Sequence, residues 1–245
     1  MPFIETERGI RIFYKYLPKR GKPVLVFVHG FAEDHAYWKE YASAFKNKLG
    51  ILLIGLRGHG SSSSPDGKNK YAIARFVDDL AFVVNKLGIK EFYLIGHSLG
   101  GIIISEYISQ YKPRIKGAVL MATPVSRYDI KPLFLAGLVA AALLPSWLCR
   151  MVYGKYAHGK AARLAKHGIS SNAVRITLGV LHNLTLKKKL KKINGKVMVV
   201  LAAHDEAIKN RMAGLYGKSI LMDDTHQLLK SKARIIKQIE KFISC

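Results

Sequence analysis

Six short apolar runs, most of them separated by helix-length segments, constrain this chain more than any other feature. They are Val24–Val28, Ile51–Ile54, Phe92–Ile95, Ala118–Met121, Val197–Leu201 and Ser219–Met222. Most are continuous and aliphatic with no polar alternation, as expected of strands covered on both faces. Helical segments are predicted around Trp38 to Leu49 and from Ile73 to Leu87. In the second, Phe76, Leu80, Val83, Val84 and Leu87 recur at helical spacing. A last helix is predicted from Lys230 to Ile243. Such alternation calls for a mainly parallel sheet with right-handed crossovers and helices on both faces. Residues 3 to 18 alternate around Gly9 and predict an antiparallel hairpin at a sheet edge. In sheets of this kind, chemistry gathers beyond the carboxyl ends of the strands.

One of those ends carries Gly96-His97-Ser98-Leu99-Gly100, then Gly101 and the apolar run Ile102-Ile103-Ile104. A lone Gly-x-Ser-x-Gly is a weak signal, but a strand before it and a close-packing Gly-Gly helix start behind it make a strand-turn-helix elbow with a serine at the apex. A serine on so sharp a turn must tolerate unfavourable backbone angles with little bulk on either side. The helix beginning beneath it aims free N–H groups and the positive end of its dipole at whatever Ser98 attacks.

A serine hydroxyl is a poor nucleophile without a base in hydrogen-bond reach, and the base needs an acid to orient it. His226 follows the last predicted strand in Asp223-Asp224-Thr225-His226, and Asp205 follows the one before it in Ala203-His204-Asp205. Both therefore emerge on the same rim as Ser98. Asp205 could instead be a turn or N-cap residue, and His226 a surface loop residue. Asp129 is the substitute acid, whereas Asp223 and Asp224 stand too near His226 in sequence to be the better partner. Oxyanion donors are expected from the backbone N–H of Leu99, preset by the turn, and of Phe31, in the loop that follows His29-Gly30. His97 is expected to point into packing, and His59, in a glycine turn, to be a structural hydrogen-bonder.

These stretches, with Arg57-Gly58-His59-Gly60-Ser61, resemble the signature series of the α/β-hydrolase fold superfamily over nearly the whole chain. The resemblance implies an eight-stranded sheet, an elbow serine, an acid after strand seven, a histidine after strand eight and a helical cap inserted after strand six. On that division residues 1–123 and 196–245 form the core and residues 124–195 the cap. The chain departs from the family pattern at Gly55, where members usually carry Asp, and at Ala202 and Thr225, where they usually carry Gly. A serine at the elbow argues against the epoxide hydrolase and dehalogenase branches, whose nucleophile is a carboxylate.

Charge adds a second expectation. Lys and Arg number 40 against 16 Asp and Glu, a formal net charge of +24. No carboxylate occurs from Ile130 to His204, a stretch holding 13 Lys and Arg, and within it Pro132 to Cys149 is an uncharged run of 18 residues. That run reaches the lower limit of a membrane span. Pro145 and Gly137 interrupt it, and a span there would part the two halves of the sheet, so a buried or interfacial lid helix is expected. Ala157 to His167, if helical, segregates an apolar from a basic side. An anionic membrane surface or an acidic acyl carrier is thus an expected partner, while nucleic acid, with no recognisable binding motif, is the least supported. Met1 to Arg11 holds no apolar core segment, so a secretory signal is not expected there, and Cys149 and Cys245 suit neither a disulfide framework nor a metal site. The expectation is a cytoplasmic, cofactor-free and metal-free serine hydrolase of carboxylic esters with apolar acyl groups. A thioesterase or methyl-esterase acting on carrier- or coenzyme-linked acyl groups is the alternative, and a non-catalytic ligand-binding or membrane-surface protein on the same fold the second.

Overall fold

The computed structural model describes residues 2–7, 9–31, 33–65, 68–111, 115–124, 126–132, 196–209 and 218–244. Eight strands form one sheet: β1 Phe3–Glu7, β2 Ile10–Leu17, β3 Val24–Val28, β4 Gly50–Ile54, β5 Phe92–His97, β6 Ile115–Met121, β7 Lys196–Ala202 and β8 Lys218–Met222. Their order is β1-β2-β4-β3-β5-β6-β7-β8. The hairpin β1-β2 is antiparallel and pairs antiparallel to β4, and every other pairing is parallel. Gly9 turns the hairpin at φ +78, a left-handed conformation that suits a residue without Cβ. All residues of β3, β4 and β5 are buried, as their unbroken apolar runs require, whereas β8 alternates along the outer edge.

Four helices are described: α1 Lys39–Phe45, α2 Ile73–Lys86, α3 Leu99–Tyr111 and α4 Lys232–Ser244. They pack as two pairs, α1 with α4 and α2 with α3. The helix expected over Trp38 to Leu49 divides into a 3-10 turn, His35–Trp38, and a short α1. Asp34 caps the turn through the Ala36 N–H, and the Trp38 ring lies 5.0 Å from that of Phe27. Burying those rings outweighs continuing one regular helix. The last helix begins two residues later than expected, because Asp224 takes the Thr225 and Ser231 N–H groups and holds the chain in a loop to that point. The serine run also has a job: Ser62 Oγ accepts the Phe13 N–H and donates to the Gly55 carbonyl, tying the β4 loop to the hairpin.

The strand ends set the site. Val28 is opposite Gly96, His97 opposite Met121, Met121 opposite Val200 and Ala202 opposite Met222. The order reverses beside β3, the kind of switch point where neighbouring loops diverge and leave a crevice. All of the expected cap but residues 124 and 126–132, its basic helix, most of the uncharged run from Pro132, Cys149 and Cys245 lie outside the described residues.

Candidate active site

Ser98 sits directly after β5 with φ +49, one of three non-glycine residues with positive φ among the described residues. This left-handed conformation is strained for a side-chain-bearing residue and persists only when its surroundings fix it. They do: the Ser98 N–H donates to the Met121 carbonyl at 2.8 Å, and the Ser98 carbonyl accepts from Gly101 at 3.0 Å and Ile102 at 3.2 Å. The flanking glycines serve close approach rather than positive φ. A Cβ on Gly96 would lie 2.6 Å from the Gly100 carbonyl, one on Gly100 would collide with the Val28 carbonyl oxygen, and one on Gly101 with the Thr123 hydroxyl. At Gly96 and Gly100 backbone packs against backbone, and at Gly101 it packs against the Thr123 side chain, leaving no room for a Cβ.

His226 and Asp205 arrive from the two strands beyond β6. His226 Nε2 lies 3.0 Å from Ser98 Oγ, and Nδ1 lies 2.9 and 3.1 Å from the two Asp205 carboxylate oxygens. A ring nitrogen facing a carboxylate carries the hydrogen, so Nε2 is left to accept from the serine. Asp205 is nearly fully buried and also accepts the Ala207 and Ile208 N–H groups at 2.8 Å. Burial works to raise its pKa, but the facing His226 and the two amides outweigh it and hold the carboxyl below its usual range. The turn-capping role and the histidine-facing role therefore belong to the same side chain. Asp129 accepts the Ser126 N–H, Asp223 pairs with His204, and Asp224 caps the start of the last helix.

Leu99 is the first residue of α3, where a helical N–H has no carbonyl four residues back in the same helix. Phe31 is half-buried in the loop after β3, its ring 5.8 Å edge-on to that of His59. His29 anchors this loop: Nδ1–H donates to the Gly30 carbonyl at 2.9 Å and Nε2 accepts the Leu56 N–H at 3.0 Å. Burial, followed by the nearby His59, pushes the His29 pKa down to about 4, so the ring stays neutral as its accepting nitrogen requires. His59 is buried with Nδ1 on the Arg57 carbonyl, as the sequence suggests.

One buried group escapes the sequence reading. Glu33 Oε2 accepts the Gly30 N–H at 2.7 Å and faces His97 Nδ1 at 3.1 Å, and His97 Nε2 lies 2.8 Å from the His226 carbonyl oxygen. The signal for it was slight: one of few carboxylates, three residues past Gly30. For both groups burial opposes the charged form, yet their mutual attraction prevails, lowering the Glu33 pKa and raising that of His97. Among the described residues no cluster of three or more His, Cys, Asp or Glu is arranged to hold a metal ion.

Comparisons with known proteins agree on the fold. The chain is 32% identical over 97 residues to mouse epoxide hydrolase 4, covering 40% of this chain and 27% of that protein. It is 32% identical over 128 residues to a bifunctional esterase/perhydrolase of Acinetobacter calcoaceticus, covering 51% of this chain and 45% of the relative. The chain thus spans less than half the length of these curated relatives. The enol-lactonase of Burkholderia xenovorans LB400 superposes with a TM-score of 0.83 at 17% identity over 100% of both chains, a likeness of fold alone. Residues 23–167, more than half the chain, match the alpha/beta hydrolase fold family. With the sheet order and the elbow already described, that match establishes that this chain belongs to the alpha/beta hydrolase fold family.

Proposed function

We propose that the chain is a serine hydrolase of carboxylic esters, with Ser98 as nucleophile, His226 as base and Asp205 as orienting acid. The observation that carries this reading is the unbroken series of contacts from the Ser98 hydroxyl through both nitrogens of His226 to the Asp205 carboxylate. As Oγ attacks the carbonyl carbon, Nε2 takes its proton and the carbonyl oxygen becomes an oxyanion. The N–H groups of Leu99 and Phe31 are the proposed donors to it, and each such donor is worth about 10²- to 10³-fold in rate. Collapse breaks the ester bond, and the leaving alkoxide takes the proton from Nε2. Water then gives its proton to Nε2 and attacks the acyl-serine, and the serine leaves with that proton to restore the enzyme. Residues 124–195 are proposed to form a cap over this rim, supplying an apolar acyl site.

Similarity to epoxide hydrolases raises a second chemistry. An epoxide opened by a serine would leave an alkyl ether, which a histidine-activated water does not cleave, whereas carbonyl attack leaves an ester, which it does. Ser98 at the elbow therefore favours acyl transfer. The carboxylate-free, lysine-rich stretch from Ile130 to His204 favours thioesters on an acidic carrier as the alternative substrate.

The test is a chain-length series of p-nitrophenyl esters beside an acyl thioester, with Ser98→Ala as control and a fluorophosphonate probe for the nucleophile. Turnover and labelling that both vanish in Ser98→Ala support the proposal. Folded wild-type protein that takes no label and cleaves nothing overturns it in favour of a ligand-binding role. Thioester turnover that falls steeply with salt, with no ester turnover, selects the carrier-linked alternative.

A further inference from the structure

The buried pair Glu33 and His97 lies beside the candidate triad without belonging to it. Glu33 is 8% exposed and His97 1% exposed, both beneath the rim where the loops after β3, β5 and β8 meet. Hydrogen-bond roles fix the proton count. Glu33 Oε2 already accepts the Gly30 N–H, and the His226 carbonyl can only accept, so both nitrogens of His97 must be supplied with hydrogens from within the pair. An imidazolium facing a carboxylate does this. No Cβ fits at Gly30, where it would lie 2.8 Å from His97 Nδ1 and 3.0 Å from Glu33 Oε2, so the loop is built around the pair.

From this geometry we infer that Glu33 and His97 are positioning residues that couple the Gly30-Phe31 loop to the backbone of His226 and so hold the base against Ser98. The inference rests on the proposed function, since it assigns the pair to the same site. Each end of the relay holds one loop: Gly30 next to the proposed oxyanion donor Phe31, and the main chain of the proposed base. Tyr37 stacks on His97 at 4.8 Å and donates to the Gln227 carbonyl at 2.9 Å, fixing the adjacent peptide as well. Among the described residues, the His226 ring also lies 5.2 Å from that of His97, and the charge of Asp205 further favours the imidazolium.

Glu33→Gln preserves shape but not the proton arrangement. If the amide oxygen takes the Oε2 position it satisfies Gly30 and Nδ1–H, and a neutral His97 then turns a bare Nε2 on the His226 carbonyl. If the amide nitrogen takes it, it opposes the Gly30 N–H. Either way one link fails while the packing remains.

The experiment is nitrogen NMR of the His97 ring in the full-length protein, with kcat and KM for p-nitrophenyl butyrate measured on wild type and Glu33→Gln. Expected are two protonated ring nitrogens on His97 in wild type at about pH 6.5, the ordinary histidine midpoint above which its facing carboxylate raises its pKa. Glu33→Gln should have one, a kcat lower by about 10- to 100-fold and a KM changed far less, with its circular dichroism retained. A purely structural pair would lower the melting temperature without splitting kcat from KM. A neutral His97 in wild type, a reading that needs no variant to fold, overturns the inference, as does an unchanged kcat in folded Glu33→Gln. Wild type that neither turns over esters nor takes a fluorophosphonate label overturns the proposed function itself, a result distinct from either of these.

Discussion

Asp205 meets His226 with both carboxylate oxygens, at 2.9 and 3.1 Å from Nδ1, while one of those oxygens also closes the turn through Ala207 and Ile208. The acid is thereby held by the backbone of its own loop and cannot follow the histidine if the histidine moves. Asp205→Asn keeps an oxygen for the two amides but turns an NH₂ group toward Nδ1, forcing the hydrogen onto Nε2. Its kcat for ester hydrolysis is expected to fall by about 10⁴-fold, with the fold intact by circular dichroism. An unchanged kcat would detach Asp205 from the chemistry.

Gly100→Ala tests the elbow as a packing device. The new Cβ would press on the Val28 carbonyl oxygen and come 2.7 Å from that of His29, both main-chain atoms at the end of a buried strand. Nothing flexible can yield, so a loss of about 3 kcal/mol is expected. In a chain of this size that corresponds to a melting temperature roughly 10 °C lower. A variant that melts with the wild type would show that the elbow can open without harm.

Arg57 and Asp79 form a buried two-point ion pair, with Nε to Oδ2 and Nη2 to Oδ1 both at 2.7 Å. Thr6 Oγ1 donates to Asp79 Oδ1 and Arg57 Nη1 to the Lys70 carbonyl, so the pair joins the hairpin, the loop after β4 and α2. Asp79→Ala leaves the guanidinium without its main partner and is expected to destabilise by about 3–5 kcal/mol in urea unfolding. Replacing both residues with apolar ones is expected to destabilise by less than the sum of the single replacements. Additive losses would show that the two do not act as a pair.

His29 gives the protein an acid-sensitive joint. Its pKa is about 4 in the fold against 6.5 for an unperturbed imidazole, so as pH falls the unfolded chain takes up the proton first. The stability contributed by keeping it neutral is complete above about pH 6.5 and declines by about 3 kcal/mol as pH falls to about 4. Urea midpoints across that range measure it. His29→Asn is expected to reduce the decline between those limits, leaving the part due to His59 and His35, whose pKa values burial also lowers. An equally steep decline in His29→Asn would place the sensitivity elsewhere.

Much of the architecture was legible because parallel strands covered on both faces must be continuous apolar runs. Val24–Val28, Ile51–Ile54 and Phe92–Ile95 each fall within a strand of the structure with bounds shifted by at most two residues. Less legible were Trp38, which the sequence places in a regular helix and the structure in a 3-10 turn under the pull of Phe27, and Ser61–Ser64, which looked like plain loop yet stitches the hairpin to β4. Glu33 was illegible for a different reason. Nothing in its local pattern sets it apart from a surface carboxylate, and its burial depends on His97, 64 residues away.

Order along the chain thus determined that residues 98, 205 and 226 would emerge on one rim, since each follows a strand of a parallel sheet and strand ends of such a sheet align. Tertiary structure alone decided which acid of several faces His226, that Gly96 and Gly100 are there to let main chains touch, and that the buried pair Glu33 and His97 ties the Gly30-Phe31 loop to the backbone of His226. Those outcomes turn on separations of about an ångström between distant segments, which periodicity does not encode and only the packed sheet resolves.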